Sequence, residues 1–340
     1  MLPDLHNNPS EWQLLMNRLG ASGTPFLFIL DFELKKPVIY TLDAIPEGIY
    51  YKVNNQRNYT IHPLTHHTPL HFEKQPVSFQ DYKKAFDHVL KEIQYGNSFL
   101  LNLTFPTLLE CNQSLHTLFM RAAAKYKLYC QGRFIVFSPE IFVQIKDGII
   151  SSYPMKGTID ASLKNAKDHI LNDEKEIAEH YTIVDLIRND LSIVAKKVHV
   201  PRFRYLDLIH TQTKSLYQVS SEVSGVLPDD YPSAIGDIMA ALLPAGSISG
   251  APKKKTVEII REAEGEERSY YTGVFGIFDG RNLDSGVMIR YIEQNGGQMR
   301  YRSGCGITAM SDCTSEYNEM TDKVYVPIDR KHKSIQRQSV

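Results

Sequence analysis

Apolar residues alternate with polar ones over short stretches of the chain and recur at helical spacing over longer ones. Residues 26–30, 38–40 and 49–51 read as short strands, with Pro37 and Gly48 among the turn signals between them. Residues 78–95 read as a helix. Tyr82, Phe86, Val89, Leu90 and Ile93 make its apolar stripe, Ser78 and Asp81 stand as caps, and Gly96 stops it. A strand is expected over 98–105 and a second helix over 114–126. Strand-like runs over 134–143 break at Ser138-Pro139, which leaves Glu140 at a strand start. The longest helical pattern runs over 173–195, carried by Ile177, Tyr181, Val184, Ile187, Leu191 and Val194.

Further on, 214–225 reads as a strand and 232–243 as a helix. A loop of small residues over 243–253 feeds another helix, with Pro252 at its first position. It fails the P-loop spacing, because Ala251 stands where the second glycine is needed. Residues 270–278, 286–293 and 298–302 form a meander with tight turns at Asp279-Gly280 and Asn295-Gly296, and 314–325 closes the fold as a helix. Strands and helices in separate runs, without βαβ alternation, point to an α+β fold with antiparallel sheets.

Bulk properties narrow the function classes. The 340 residues carry a formal net charge of -1, which gives no electrostatic footprint for nucleic acid. No apolar run is long enough to span a membrane, and the first residues lack the charged-then-apolar order of a signal peptide. Cys111, Cys130, Cys305 and Cys313 are scattered without a CxxC pair, so neither a disulfide framework nor a zinc site is expected and a cytoplasmic setting is the simpler one. His62, His66, His67 and His71 fall in a polar loop with no acidic or cysteine partner among them, a weak metal signal. The basic residues Arg330 to Lys333 read as a solvated tail.

Several groups carry candidate chemistry. Lys156 follows Pro154 and precedes Gly157, so it is expected at a strand end, where an amine can face a pocket and act as a nucleophile. Glu176 and Glu179 share one helix face, and Glu316 and Glu319 repeat the spacing. Two such pairs facing each other would suit Mg²⁺; each pair alone is commonplace. The loop with Ser247 and Ser249 opens a helix, where an anion can bind or small residues can simply fit. Gly304 and Gly306 flank Cys305 and are expected to aim consecutive N–H groups at a carboxylate. Arg290, in an otherwise apolar strand, calls for an anionic partner if it points inward.

These blocks, taken in order, resemble the chorismate-utilising enzymes, the family of anthranilate synthase large subunits. The resemblance covers residues 78–326. It rests on Gly96 to Thr104, Ser138-Pro139-Glu140, Pro154 to Thr158, Glu176 to His180, Asp185 to Asp190, Pro244 to Lys253, Tyr271 to Gly276, Gly304 to Ile307 and Glu316 to Glu319. It implies one fold of large antiparallel sheets packed together with helices outside. Residues 1–76 would be a short strand-rich part of that fold, 77–327 the catalytic core and 328–340 the basic tail. Lys156 makes the chain look like the aminodeoxychorismate synthase group, since similar anthranilate synthases carry alanine there. The implied reaction is amination of chorismate at C4 to 4-amino-4-deoxychorismate, on the way to p-aminobenzoate and folate. Lys156 would add to C2, with Glu140 as general acid and base.

The resemblance further assigns Glu179 and Glu319 to Mg²⁺ directly, and Glu176 and Glu316 through water. It assigns substrate binding to Thr158, Gln218, Ser247, Ser249, Tyr271, Arg290, Gly304, Gly306 and Lys323. Ammonia would come from a glutamine amidotransferase partner, since no glutaminase arrangement of cysteine, histidine and glutamate is visible. Gln218 stands where the family usually carries histidine and cannot hold a charge at neutral pH, so a binding role is expected there and no proton transfer. No tryptophan-binding block is visible, so tryptophan control is not expected. Anthranilate or isochorismate formation, or a silent chorismate-binding subunit, are the rival readings. Lys156 argues against the first two. The full set of acidic and basic candidates argues against the third, which Gln218 alone favours.

Overall fold

A computed structural model describes residues 9–60, 69–210 and 215–328. Among these, two nine-stranded sheets form the frame, and their pairings are antiparallel. From neighbour to neighbour, the first sheet runs Met155–Asp160, Ser215–Val226, Ile149–Ser152, Ile141–Lys146, Leu283–Val287, Val274–Phe278, Phe26–Leu30 and Val38–Thr41. Lys196–His210 lies alongside Ser215–Val226. The second sheet runs Gly250–Ala251, Leu100–Cys111, Gln298–Ile307, Tyr291–Asn295, Phe134–Ser138, Tyr126–Cys130, Ile49–Val53 and Gln56–Arg57. Phe72–Gln75 flanks Leu100–Cys111.

Strand alternation sorts the core into layers. Leu27 and Ile29 point to a core shared with Tyr126, Leu128, Phe134 and Val136 of the second sheet. Phe26, Phe28 and Leu30 point the other way, under a helical layer that contributes Trp12, Phe86, Ile187, Met239 and Ile260. Ile135 and Phe137 turn to a third cluster with Leu118 and Phe119. Both faces of these strands are therefore buried, and the expected α+β architecture of packed antiparallel sheets with helices outside is what the chain adopts. No helix among the described residues is long and apolar enough to cross a membrane.

Local signals set the helix ends. The Ser78 side chain accepts from the Asp81 N–H ahead of helix Phe79–Gln94, and Asp173 accepts from the Glu176 N–H ahead of Glu174–Val194. Pro252 is the N-cap of Lys253–Glu264 rather than its first helical residue. The helix expected over 114–126 spans only Leu115–Arg121, because Tyr126 already belongs to a central strand. Several elements lie outside the sequence expectations, among them helix Ala166–Asn172 and strand Phe72–Gln75. Helix Pro9–Ala21 buries Trp12 and Met16 but leaves Leu14 exposed. Strand Lys196–His210 is rich in charge, and repeated register shifts against its neighbour break its alternation.

The expected strand over 286–293 is two strands in different sheets. Leu283–Val287 belongs to the first and Tyr291–Asn295 to the second, and the chain crosses between them at Met288, Ile289 and Arg290. Arg290 takes a left-handed φ of 54° at this corner. The same crossing occurs between Phe134–Ser138 and Ile141–Lys146, with Glu140 at the step. The two corners are tied together: Phe137 N–H donates to the Arg290 carbonyl at 3.1 Å, and Val287 N–H to the Glu140 carbonyl at 3.1 Å. His62, His66, His67 and the basic tail after Ile328 lie outside the described residues. His71 is exposed, 3.0 Å from Glu73.

Candidate active site at the seam between the sheets

The seam brings an acid and a cation out of apolar strands. Glu140 Oε1 accepts from Ser247 Oγ at 2.6 Å. Burial raises the Glu140 carboxyl above the usual range, against the lowering effects of Ser247, Arg290, Lys323 and Lys156. A carboxyl raised in this way is better suited to donate a proton to a leaving group. At the other corner the Arg290 guanidinium lies over the Tyr325 ring, 5.4 Å from its centroid. Its buried Nε has no hydrogen-bond partner among the described residues. A buried guanidinium with a donor to spare is suited to an anion.

Lys156 reaches the same region from the edge of the first sheet. It lies within strand Met155–Asp160, not at a turn. The register against Ser215–Val226 slips between Lys156 and Thr158, and Gly157 sits in that bulge with φ 75°. A Cβ at Gly157 would stand 2.7 Å from Glu176 Oε2, so only glycine lets the helix carboxylate come this close. Lys156 Nζ is 2.8 Å from Glu179 Oε2. Burial alone would lower the amine, but Glu179, Glu319 and Glu176 outweigh it and hold Lys156 above its ordinary value. A Cβ on Gly306 would lie 3.8 Å from Lys156 Nζ, which places the second sheet against the same amine.

The Cys313–Asp322 helix supplies the rest. Lys323, at its C-cap, pairs with Glu319 at 2.7 Å and donates to the Gly304 carbonyl at 2.9 Å. Glu316 is buried on the same helix, and its carbonyl accepts from Cys305 Sγ at 3.3 Å.

Fold and site together invite comparison with known proteins. The pattern of the chorismate binding enzymes matches residues 38–329. The chain belongs to that family. It is 51% identical over 314 residues to an uncharacterized PabA-like protein of Haemophilus influenzae, covering 92% of this chain and 95% of that one. Aminodeoxychorismate synthase component 1 of Bacillus subtilis is 30% identical over 74% of this chain, which spans 55% of that protein's length. Anthranilate synthase component I from Streptococcus pneumoniae superposes with a TM-score of 0.65 at 27% identity, over 76% of this chain and 59% of that one. MenF, the menaquinone-specific isochorismate synthase from Escherichia coli, shares the fold at a TM-score of 0.72 and 15% identity, over 94% and 82% of the two chains.

For a chorismate binding enzyme, the expected residues fall into three groups. Glu140, Lys156, Glu176, Glu179, Ser247, Arg290, Gly304, Gly306, Glu319 and Lys323 are linked by the contacts and charge effects above. Thr158 and Gln218 stand opposite each other in the ladder, one step from the Lys156–Val219 pair. Tyr271 is buried, its phenol raised by that burial. Ser249 is fully buried and donates to the Ala245 carbonyl at 2.9 Å, so its hydroxyl is spent within its own turn. The expected nest of consecutive amides at Gly304 and Gly306 is not formed. Both glycines lie in the regular strand Gln298–Ile307, where successive N–H groups alternate in direction. Their use is close approach: a Cβ on Gly304 would meet the Leu103 carbonyl at 2.5 Å.

Two features escaped the sequence reading. His180 is fully buried, 2.6 Å from Ser221 Oγ, and burial lowers it to about 4, so it is a neutral strut between the long helix and the sheet. Asp190 pairs with Lys253 at 2.8 Å, joining the long helix to the small-residue loop. The Asp185 to Asp190 block marked the first partner, but nothing in the sequence paired it with Lys253.

The four glutamates are oxygen donors of the type a hard divalent ion takes. Their charge is met here by lysines, Lys156 on Glu179 and Lys323 on Glu319. Among the described residues no three carboxylate, imidazole or thiolate groups converge as they stand. The donor type fits Mg²⁺, and the two lysines must yield for the carboxylates to take it.

Proposed function

We propose that the chain aminates chorismate at C4 to 4-amino-4-deoxychorismate, as aminodeoxychorismate synthase component I, in the supply of p-aminobenzoate and folate. The observation that carries this is the placement of Lys156. A lysine in a bulged strand, between an acidic helix and a glycine of the opposite sheet, is a costly thing to place in a site that only binds. The named relatives at about 30% identity include aminodeoxychorismate synthase component 1.

In the proposed reaction the neutral Lys156 amine bonds to C2, both ring double bonds shift, and the C4 hydroxyl leaves with the Glu140 proton as water. Ammonia then bonds to C4, both double bonds shift back, and the C2–N bond breaks with its electron pair returning to Lys156. Glu140, now a carboxylate, takes the surplus proton from the new C4 ammonium, and both residues end as they began. Arg290 would hold one substrate carboxylate through its spare donor. Glu179 and Glu319, with Glu176 and Glu316 behind them, would hold Mg²⁺. When bound, the ion would grip the ring carboxylate and offset the charges that keep Lys156 protonated.

Ammonia is proposed to come from a glutamine amidotransferase subunit. Burial raises all four thiols, Cys130 and Cys305 to about 12, so none is primed as a glutaminase nucleophile.

The test is product identity. Protein incubated with chorismate, ammonium and Mg²⁺ should yield 4-amino-4-deoxychorismate by chromatography and mass spectrometry. Anthranilate or isochorismate as the main product would refute the assignment. The Lys156→Ala variant should lose turnover by at least about 100-fold, and unchanged turnover would remove the nucleophile from the scheme.

A further inference from the structure

Beside Glu140 the fold leaves a cavity of about 20 Å³, room for one molecule the size of water. Its walls are mainly apolar: Phe142, Ile187, Leu191, Leu242 and Ala245. Its acidic lining is Glu140 and Asp190. The Asp190–Lys253 pair keeps 12% and 20% of its side-chain surfaces in contact with solvent, so this is a wet end. Glu140 and Ser247 link the cavity to the reaction centre. Gly246 keeps the wet end open, since a Cβ there would stand 2.8 Å from Asp190 Oδ2 and 3.1 Å from the Leu186 side chain.

The hydrogen-bonding character of the lining is one-sided. Ser247 Oγ spends its proton on Glu140, and Ser152 Oγ donates to the Phe142 carbonyl at 2.9 Å. Lys253 Nζ is committed to Asp190 and to the Leu242 carbonyl at 2.7 Å. Once Glu140 has given its proton to the leaving hydroxyl, the side-chain donors at the cavity are used up and carboxylate oxygens remain as acceptors. Water offers two donors and wants two in return, whereas ammonia offers three and wants one. An acceptor-rich, apolar-walled cavity of this size favours ammonia.

We propose that this cavity is the holding site for the amine nucleophile. Ammonium arrives at the Asp190 carboxylate, and neutral ammonia is presented beside Glu140. This rests on the amination reading above. The apolar walls disfavour the cation, so ammonium leaves its proton with solvent at the wet end and enters as the neutral base. Its lone pair forms the bond to C4 as the C2–N bond to Lys156 breaks, and the surplus proton passes to the Glu140 carboxylate.

The experiment is steady-state amination with ammonium chloride as nitrogen source, comparing wild type with two cavity-filling variants, Leu191→Phe and Ala245→Val. Each must melt close to wild type to count. At least one should raise the KM for ammonium by about tenfold or more, with the KM for chorismate unchanged. A third variant, Leu242→Ala, enlarges the space and should accept methylammonium, giving an N-methylated product that wild type does not form. Folded filling variants with wild-type KM for ammonium, together with no methylammonium product from Leu242→Ala, overturn the cavity while leaving amination intact. A wild-type protein that forms no aminated product at all overturns both.

Discussion

At the scale of single residues, the account turns on groups held in unusual protonation states. Burial raises the Glu140 carboxyl, which favours the acid role proposed for it. The alkaline limb of kcat/KM should therefore report its loss, with activity falling as pH rises through the raised Glu140 value. Glu140→Gln keeps the size but carries no transferable proton. It should lose that limb and about 10²–10⁴-fold in kcat. Away from the site, Lys127 is buried under the Phe119 ring, 4.4 Å from its centroid, and donates to the Ala122 carbonyl at 2.8 Å. Burial lowers it from 10.5 to about 7, with Lys52 and Arg57 pushing the same way. Between those values the unfolded chain holds a proton that the folded chain has lost. Stability should thus rise with pH from about 7 to 10.5 and gain nothing from this group below. Lys127→Met should flatten that rise and stabilise the protein at pH 7 by about 1–3 kcal/mol in denaturant titrations.

At the scale of elements, the long helix Glu174–Val194 aims its first-turn carboxylates because Asp173 fixes where it starts. Asp173→Ala removes the acceptor for the Glu176 N–H and should cost about 0.5–2 kcal/mol. It should also weaken activation by Mg²⁺, since Glu176 rides on that turn and Glu179 on the next; an unchanged Mg²⁺ titration would contradict this. The helix over 173–195 was legible in the sequence, as was the break at Ser138-Pro139. The seam was not. An apolar run over 286–293 looks like one strand whether it stays in a sheet or changes sheets, because both halves are buried. Lys156 was expected at a strand end for a similar reason: Gly157 reports a special φ but not whether the strand continues beyond it. Lys196–His210 was missed because its charges and shifted register erase the period of two.

At the scale of the whole molecule, the site depends on distant segments meeting at the seam. Arg268 ties several of them together. It is fully buried, paired with buried Glu264, and donates to the Ile248 carbonyl beside Ser247 at 2.9 Å. Glu264 in turn accepts from the Thr104 N–H of the second sheet at 2.9 Å. Removing one partner strands a buried charge, so Arg268→Ala should destabilise by about 3–5 kcal/mol in thermal or denaturant unfolding. The candidate residues themselves were legible one by one; their convergence was not, because contacts between distant segments leave no local pattern. The proposed chemistry turns on the amine of Lys156 bonding to the substrate ring. The most direct measurement is intact-protein mass spectrometry after incubation with chorismate and Mg²⁺ in the absence of ammonia. The account expects a mass gain of one chorismate less one water, located by peptide mapping on Lys156 and absent from Lys156→Ala. Aminated product from a protein that never shows this adduct, or an adduct that maps to another residue, would contradict it.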